Sequence, residues 1–274
     1  MFLLGADPEL FLVGPDGNIC NAHNIIPGTK MNPSLVPCGA IQVDGMALEL
    51  NINPCRYKST WTDRIYSVRR SLEKRLPAGY STSTKSFHYF PFDYMHKQPK
   101  KSLELGCDPD FNAYTGLPNP QPIATNLRTA AGHVHLGWTD KEVVDDWFFQ
   151  LCCNFTKVLD LTVGLYCFFL DNDVERKKLY GKAGSFRPKP YGLEYRTPSN
   201  AWLRSKKSIQ NVYVLSSLAY FWYKNQGVID YFERKVDASS ERVRNIINNK
   251  NTDEETIARI KDEFFYSYGG HLHV

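Results

Sequence analysis

Alternation of polar and apolar residues in four short segments is the feature that most limits what this chain can fold into. In a strand, residues i and i+2 share a face. Asp7 and Glu9 of "GADPELFL" therefore point together, while Leu10 and Leu12 point the other way. The same pattern recurs in "ALELNIN", "GHVHLGW" and "GLEYRTP". The four segments predict strands of a sheet with one apolar face and one polar face, as antiparallel sheets often have.

The predicted polar face carries acids and imidazoles in place of the Thr, Lys and Gln that are usual on solvated strands. Carboxylate oxygens are hard ligands that suit Mg²⁺ or Mn²⁺, and an imidazole is a further ligand. We interpret the four strands as sharing one cation site, although each pair alone is also explained by a turn, a surface strand or a cross-strand salt bridge. The sets are Asp7 with Glu9, Glu49 with Asn51 and Asn53, His133 with His135, and Glu194 with Arg196.

A basic, glycine-bearing segment precedes the last of these strands. "ERKKLYGKAGSFRPKPYG" contains Arg176, Lys182 and Arg187, and its glycines Gly181 and Gly184 would let a ligand approach the backbone closely. Arginine binds phosphate oxygens well. Acids together with arginines suggest a metal–nucleotide site, while Arg176 and Lys182 taken singly are equally explained as solvated surface residues.

Composition and charge place the chain among soluble globular proteins. It has 274 residues, 23% of them charged, and its net charge of +4 is too small to indicate nucleic acid as a partner. The seven cysteines include no C-x-x-C pair and predict reduced thiols in a cytoplasm. The N-terminus lacks the basic region and the apolar run of a signal peptide.

The apolar segment 147–170 could be mistaken for a membrane span. Gln150, Asn154, Lys157 and Asp160 interrupt it at near-helical spacing and draw a polar stripe along one side. Lipid would tolerate this lysine and aspartate poorly. We therefore expect a long, mostly buried helix and no contact with a membrane.

Start and stop signals predict a single domain over residues 1–274, in which residues 1–204 carry the sheet and the site motifs and residues 205–274 form a helical extension. They predict a turn at 14–18, a hairpin or bulge at Asp44-Gly45 and an irregular loop at 107–122. A helix is expected at about 58–76, with Ser59 or Thr60 as its N-cap. Capping boxes at 139–142 and 252–255 predict two further helix starts, and residues 172–191 are expected to form a loop.

Five motifs together resemble the phage-type COOH–NH2 ligases of the glutamine synthetase and glutamate–cysteine ligase superfamily. The resemblance runs in order from residue 4 to about residue 204, and the helical C-terminal quarter carries no matching motif. The motifs are "GADPELFL", "VDGMALELNINP", "GCDPDFNAYTG", "GHVHLGW" and "RKKLYGKAGSFRPKPYGLEYRTPSNAW".

The resemblance implies an α+β fold in which a curved, mostly antiparallel sheet holds ATP and two or three Mg²⁺ ions on its concave face, with Mn²⁺ as an alternative ion. The residues it implies as metal ligands are Asp7, Glu9, Glu49, His133 and Glu194. Those it implies for the phosphates are Arg196, Arg187 and Arg176, and Lys182 is a further candidate from the same segment.

The chemistry implied by the resemblance is a two-step ligation. ATP would phosphorylate a carboxylate, and an amine would then displace phosphate from the acyl phosphate to form an amide, with Arg196 neutralising charge. A carboxylate near the amine is needed as base. Asp44 and Asp108 are the candidates. Asp108 occupies a position where glutamate–cysteine ligases carry a histidine. Asp44 has the parity opposite to Glu49 along the chain, so Asp44 would reach the site only if Gly45 forms a bulge.

Two other readings stay open at the level of sequence. A hydrolase could hold Zn²⁺ with His133, His135 and an acid, but it would not need the arginines. An inactive relative could act as a binding protein, although all the expected ligands are present. The substrates of a ligase would be an acid and an amine, each a small molecule or a peptide. The enzyme would act in the cytoplasm, and this would be the cytoplasm of a bacterial host if the chain is phage-encoded. A homo-oligomer is left open, since the superfamily includes small and very large assemblies.

Overall fold

An antiparallel sheet of eleven strands is the centre of the fold. The computed structural model describes residues 2–104, 110–120, 125–139, 144–171, 174–225, 240–248 and 253–272. The main path of the sheet runs in the order β3-β2-β6-β1-β11-β13-β12-β9, with the β4–β5 hairpin beside β6 and β7 beside β2, while β8 and β10 form a separate ribbon. The predicted α+β class with a mostly antiparallel sheet is confirmed.

The strands are β1 Leu3–Ala6, β2 Glu9–Val13, β3 Ile19–Cys20, β4 Ser34–Val36, β5 Gly39–Asp44, β6 Ala47–Cys55, β7 Ser81–Ser83, β8 Phe87–Tyr89, β9 Phe111–Asn112, β10 Leu127–Thr129, β11 Val134–Gly137, β12 Ser185–Lys189 and β13 Gly192–Tyr195. The α-helices are α1 Lys58–Glu73, α2 Phe92–His96, α3 Lys100–Leu103, α4 Asp146–Leu159, α5 Leu165–Leu170, α6 Val174–Lys177, α7 Lys206–Lys224, α8 Ser240–Ile247 and α9 Glu254–Tyr268. A π-helical turn, Asp160–Gly164, joins α4 to α5, and a 3₁₀ turn spans Asn200–Arg204.

The apolar residues of the alternating strands face the helices, as the pattern predicts. Leu4, Leu48, Leu136 and Leu193 are fully buried, while the polar residues between them face the other side of the sheet. Two indole N–H groups hold two helices to each other and the helix layer to the segment before β11. Trp61 Nε1 of α1 donates to the carbonyl of Ile209 in α7 at 2.9 Å, and Trp202 Nε1 donates to the carbonyl of Gly132 at 3.0 Å.

A break at Asp7-Pro8 separates β1 from β2 in the middle of the sheet. β1 pairs with β11 and, in a shifted register, with β6, whereas β2 pairs with β6, β3 and β7. Proline has no N–H to donate, and here only its carbonyl is used, accepting from Leu50 N at 3.0 Å. Pro8 therefore fits the bend that carries Asp7 and Glu9 without leaving an unsatisfied donor.

A tight hairpin, and not a bulge, brings Asp44 to the polar face. β5 and β6 pair through Asp44↔Ala47 and Gln42↔Glu49, so the turn at Gly45 and Met46 reverses the chain. Gly45 has φ +56°, a conformation that favours glycine. The parity argument from the sequence was wrong because it treated both residues as members of one strand.

Two predicted helix starts, those of α1 and α4, differ from the observed ones. The N-cap of α1 is Tyr57, which makes no side-chain cap bond, and not Ser59 or Thr60. α4 begins at Asp146, where Asp145 accepts from Phe148 N at 2.7 Å. The predicted box at 139–142 lies largely outside the described residues.

The other differences lie near the ends of predicted segments. α9 is capped by Asp253, which accepts from Thr256 N at 2.7 Å, and residue 252 is outside the described residues. The expected loop at 172–191 contains α6 and β12. The apolar helical run Asp146–Leu170 is long enough to cross a membrane, yet 78% of its most apolar window is buried within the fold.

Asp160, fully buried in the π-helical turn, holds β13 from behind. Its carboxylate accepts hydrogen bonds from the hydroxyls of Tyr195 at 2.5 Å and Tyr114 at 2.8 Å, and Thr197 Oγ1 lies 3.4 Å away. Burial raises the pKa of Asp160 to about 6, against the lowering effect of the two tyrosine bonds. π-helical turns are frequent at functional sites. This one positions the Asp160 carboxylate against β13, the strand that carries Glu194.

We expect Gly164→Ala to destabilise the fold by about 1–3 kcal/mol, the usual cost of overpacking. A Cβ atom at Gly164 would lie 2.4 Å from the buried Tyr195 hydroxyl and 3.0 Å from Ile247 Cδ1. Gly270→Ala is the matched control, since a Cβ there meets nothing within 4 Å. Urea denaturation followed by circular dichroism measures both. A Gly164→Ala protein as stable as the control would contradict the tight packing of Tyr195 against this turn.

Candidate active site

A polar cavity of about 140 Å³ opens on the face of the sheet opposite the helices. Strands β1, β2, β5, β6 and β12 and the segments next to β11 and β13 supply its walls. The charged and polar residues in its lining include Asp7, Glu9, Asp44, Glu49, His133, Tyr180, Arg187 and Arg196.

The first of two ligand groups joins β1, β11 and β13. Asp7, His135 and Glu194 each place a potential ligand atom within 4.8 Å of the others. His135 Nε2 lies 3.1 Å from Asp7 Oδ1, and His133 Nδ1 lies 3.3 Å from the same oxygen and 3.6 Å from Glu194 Oε1. This first group brings together three of the predicted metal ligands, Asp7, His133 and Glu194.

The second ligand group joins β2, β5 and β6. Glu9, Asp44 and Glu49 place carboxylate oxygens within 4.8 Å of one another. Glu9 accepts from the backbone N–H of Ala131 at 2.7 Å, and Glu49 accepts from Gln42 Nε2 at 2.9 Å. Because each carboxylate keeps a further oxygen lone pair, these bonds orient the second group without using up its ligand capacity.

Charge within the first group keeps its carboxylates ionised. Burial raises the pKa of Asp7, but the imidazoles of His135 and His133 outweigh it and hold that pKa well below the usual range. Burial and Asp7 raise the pKa of Glu194, yet Arg196 and the two imidazoles bring it to about 2. Burial and then Arg196 lower the pKa of His133, whereas Asp7 and Glu194 overcome burial and raise that of His135.

Burial and, after it, repulsion between like charges raise the pKa values in the second group. Burial and the neighbouring charge of Asp44 raise the pKa of Glu9 to about 7. Burial and the charges of Asp7, Asp44 and Glu9 raise the pKa of Glu49 well above its ordinary value. Like charges held this close favour protonation unless a cation neutralises them.

The donor chemistry of both groups fits a hard divalent cation. Mg²⁺ and Mn²⁺ take carboxylate oxygens with few nitrogen ligands. The second group offers three carboxylates, and the first offers two carboxylates with one or two imidazoles. The residues present therefore match what Mg²⁺ requires, and the two groups would hold separate ions.

Three cationic side chains lie close to the Glu194 carboxylate. Arg187 Nη1 lies 3.2 Å and Lys189 Nζ 3.3 Å from Glu194 Oε2, and Arg196 Nη1 pairs with Glu194 Oε1. Arg196 Nε also lies 3.5 Å from Asp110 Oδ2. Glu194 thus contacts both an imidazole of the first ligand group and these three cations, which form a cationic wall that suits phosphate oxygens.

Arg176 and Lys182, predicted to bind a cofactor, lie elsewhere. Arg176 is 1% exposed, and its guanidinium donates to the carbonyls of Thr197 and Pro198, each at 2.9 Å. Gly181 packs against that guanidinium, since a Cβ there would lie 1.8 Å from Arg176 Nη1. Lys182 has an exposed side chain and does not line the cavity.

The structure therefore gives Arg176 and Gly181 the role of supporting the chain just after Arg196. Gly184 likewise packs against the ring of Tyr114, where a Cβ would lie 2.7 Å from a ring carbon. These glycines do not provide the close approach to a ligand that the sequence suggested.

Sequence reasoning left several site residues without a role. His135 was placed on the polar face but was named as a ligand only for the zinc hydrolase, although its parity equals that of His133. Lys189 follows the same parity as Arg187 and could have been found that way. Gln42 and Tyr180 carry no sequence signal that separates them from other polar residues. Asp108, the other candidate base, lies outside the described residues.

A second, less polar cavity of about 300 Å³ adjoins the first ligand group on the same face. Gly5 of β1 and Gly137 of β11, which pair with His135 and Leu3, leave part of its floor without side chains. His135 separates it from Asp7 and has its Nδ1 2.5 Å from the Tyr191 hydroxyl. Asn51 Nδ2, also at this cavity, is buried and has no hydrogen-bond partner among the described residues.

Comparison with protein families finds a match over part of the chain. The model of the phage phiEco32-like COOH.NH2 ligase-type 2 family matches residues 129–239. This stretch includes β11, β12 and β13, which carry His135, Arg187 and Glu194. The match confirms the resemblance to phage-type COOH–NH2 ligases and supports an enzyme of the carboxylate–amine ligase kind.

Comparison with solved structures finds a crystal structure described as a novel glutamine synthase homolog. It shares 13% sequence identity with this chain at a TM-score of 0.37, and the alignment covers 97% of this chain and 64% of the homolog. Comparison with curated proteins gives no match.

We expect Glu49→Gln to stabilise the metal-free protein at pH 8 by about 1–3 kcal/mol, the cost of an uncompensated buried polar or charged group. The raised pKa of Glu49 means that the folded state binds its proton more tightly than the unfolded state. Stability therefore falls as pH rises above the ordinary carboxyl range, and glutamine removes that loss while still accepting from Gln42.

Urea denaturation with and without Mg²⁺ checks this expectation. Mg²⁺ should stabilise the native chain and have a much smaller effect on Glu49→Gln. Glu255→Gln, at an exposed position on α9, is the control and should leave both values unchanged. A less stable Glu49→Gln protein that still responds fully to Mg²⁺ would rule out this group as a cation site.

Proposed function

We propose that this chain, whose residues 129–239 match the phage-type COOH–NH2 ligase family, is an ATP-dependent carboxylate–amine ligase. It would join an acid to an amine through an acyl phosphate and release ADP and phosphate. The observation that carries the proposal is the placement, on one face of one sheet, of two cation-ligand groups beside a wall of arginine and lysine.

The two cavities support a division of the substrates. The cavity over Gly5 and Gly137 is wide, largely apolar and floored by backbone, which suits a planar base. Asn51 would supply a hydrogen bond to it, and His135 connects this cavity to the first ligand group. We assign the nucleotide to this side, with its phosphates directed toward Glu194 and the cationic wall.

The polar cavity would then receive the acid and the amine. Arg196 and Arg187 line it and would hold the transferring phosphoryl group and the acid close together. When bound, Mg²⁺ would supply positive charge against the phosphates. The base that accepts a proton from the amine would come from the second ligand group, where Asp44 stands closest to the turn at Gly45.

The arginines separate this proposal from the zinc hydrolase. Hydrolysis at a zinc site needs three ligands and a water position, and it gives no role to Arg187, Lys189 or Arg196. The complete set of predicted ligands around the cavity argues against an inactive relative. The same proposal places the activity in the cytoplasm. This would be the cytoplasm of a bacterial host if the gene belongs to a phage.

Binding of a non-hydrolysable ATP analogue should require Mg²⁺ and should weaken at least about 10-fold in Glu194→Gln. Glu194 lies between the first ligand group and the cationic wall, so its loss affects both. Isothermal titration calorimetry with and without Mg²⁺ measures the effect, and Glu255→Gln should bind as the native chain does. A native chain that binds no nucleotide with any divalent metal would sink the ligase proposal.

Filling the second cavity should weaken nucleotide binding selectively. Gly137→Leu places a side chain inside the second cavity. We expect it to weaken binding of the ATP analogue by about 10-fold or more, because a few apolar contacts between the base and the cavity would be lost. Gly137→Ala should have a small effect, since its Cβ meets nothing closer than 3.7 Å. Both variants should keep the stabilisation by Mg²⁺. Unchanged affinity in Gly137→Leu would place the base elsewhere.

A further inference from the structure

Tyr180 places a hydroxyl in the polar cavity that the fold does not use. The residue follows α6, and its N–H donates to the carbonyl of Arg176 at 2.9 Å. Its hydroxyl oxygen is buried and has no hydrogen-bond partner among the described residues. Buried tyrosine hydroxyls usually have a partner.

Three other buried or partly buried tyrosines have such a partner. The hydroxyls of Tyr114 and Tyr195 both donate to Asp160, at 2.8 and 2.5 Å. The Tyr94 hydroxyl accepts from Asn21 N at 2.8 Å. Packing alone would be served equally well by phenylalanine at position 180, so the unused hydroxyl points to a ligand.

Charges of both signs lie around the Tyr180 hydroxyl. Burial raises the pKa of Tyr180 to about 12, with Arg196 opposing this and Glu9, Asp110 and Asp44 adding to it. The phenol therefore stays protonated at neutral pH and remains an O–H donor. Arg128, 8% exposed, also interacts with it electrostatically. The guanidinium of Arg128 donates to the carbonyls of Thr125, Leu127 and Leu103, so it contributes positive charge and not a donor. The protonated Tyr180 hydroxyl is the donor that this side of the cavity offers to an anionic oxygen, and the charges of Arg196 and Arg128 offset those of the nearby carboxylates.

We infer that the Tyr180 hydroxyl binds a carboxylate oxygen of the acid substrate and then stabilises the oxyanion that forms on that oxygen during amide formation. The inference rests on the proposed function for the reaction, but the binding of a carboxylate at Tyr180 does not depend on nucleotide. It makes Tyr180 a catalytic residue in contact with the reacting group.

The step that Tyr180 would assist is the attack of the amine on the acyl phosphate. The C–N bond forms as the carbonyl electron pair moves onto oxygen, where the Tyr180 O–H donates a hydrogen bond. The carbonyl then re-forms, the C–O bond to phosphate breaks with its electron pair leaving on phosphate, and a carboxylate of the second ligand group takes the amine proton. The Tyr180 proton stays on tyrosine throughout, so the residue needs no proton acceptor of its own.

The test uses acetate as the simplest carboxylate probe, with inorganic phosphate as the second probe. Isotope-labelled acetate is titrated into the Mg²⁺-loaded protein and followed by NMR line width. Tyr180→Phe should weaken acetate binding by about 10-fold or more, the effect of one hydrogen bond to a charged group. Tyr266→Phe, 89% exposed, is the matched control and should bind acetate as the native chain does.

A stability measurement separates this role from a structural one. Tyr180→Phe removes a buried hydroxyl without a partner, so its urea midpoint should equal or exceed that of the native chain, whereas a structural hydroxyl would lower it. A lower midpoint, or unchanged acetate affinity, overturns the inference. Weakened phosphate binding with unchanged acetate binding also overturns it, because the hydroxyl would then serve the phosphoryl group. Absence of acetate binding by the native chain does the same.

The outcomes for the two proposals are independent. A chain that binds acetate through Tyr180 but binds no nucleotide keeps the carboxylate site and loses the ligase. A chain that binds the ATP analogue with Mg²⁺ but shows no effect at Tyr180 keeps the ligase and loses this residue.

Discussion

The carboxylate of Asp160 fixes β13, and the site depends on that strand. Tyr195 and Thr197 face Asp160 behind the sheet, so Glu194 and Arg196, which alternate with them, must face the cavity. A slip of one residue would exchange the two pairs and bury the charges. The hydrogen bonds to Asp160 make that slip costly, and the guanidinium of Arg176 holds the next carbonyls in the same register. A buried acid away from the cavity thereby sets the direction of the acid and the arginine within it.

Stability and function oppose each other at the second ligand group. Glu9, Asp44 and Glu49 are held together by main-chain pairing of β2, β5 and β6, which fixes their spacing whatever their charge. The raised pKa values of Glu9 and Glu49 are the cost of that arrangement. A protein selected for stability alone would place a lysine or a neutral residue here. If this group holds a cation, as the proposed function requires, binding of the ion would offset the repulsion and restore the lost free energy.

Sequence alternation was sufficient to find the polar face because strand parity is a local property. It placed Asp7, Glu9, Glu49, His133 and Glu194 on one face, where the structure has them. It failed for Asp44, because parity does not carry through a tight turn, and for Arg176, because a guanidinium bound to carbonyls has the same sequence appearance as one that faces solvent. It could not find Tyr180, whose distinction is a missing partner. Partners depend on how distant segments pack, and single-strand patterns contain no information about that.

The balance of charge also constrains the order in which ligands can bind. Around the two ligand groups, the described carboxylates outnumber the arginines and lysines, and Glu194 already pairs with Arg187, Lys189 and Arg196. A triphosphate approaching this face alone would meet net negative charge and would have to compete with Glu194 for the same cations. A divalent ion on the Asp7–His135–Glu194 group removes both obstacles, because it attracts Glu194 and leaves the arginines available to phosphate. Under the proposed function, the nucleotide would therefore enter together with its metal ion, and the polar cavity would be left for the acid and the amine.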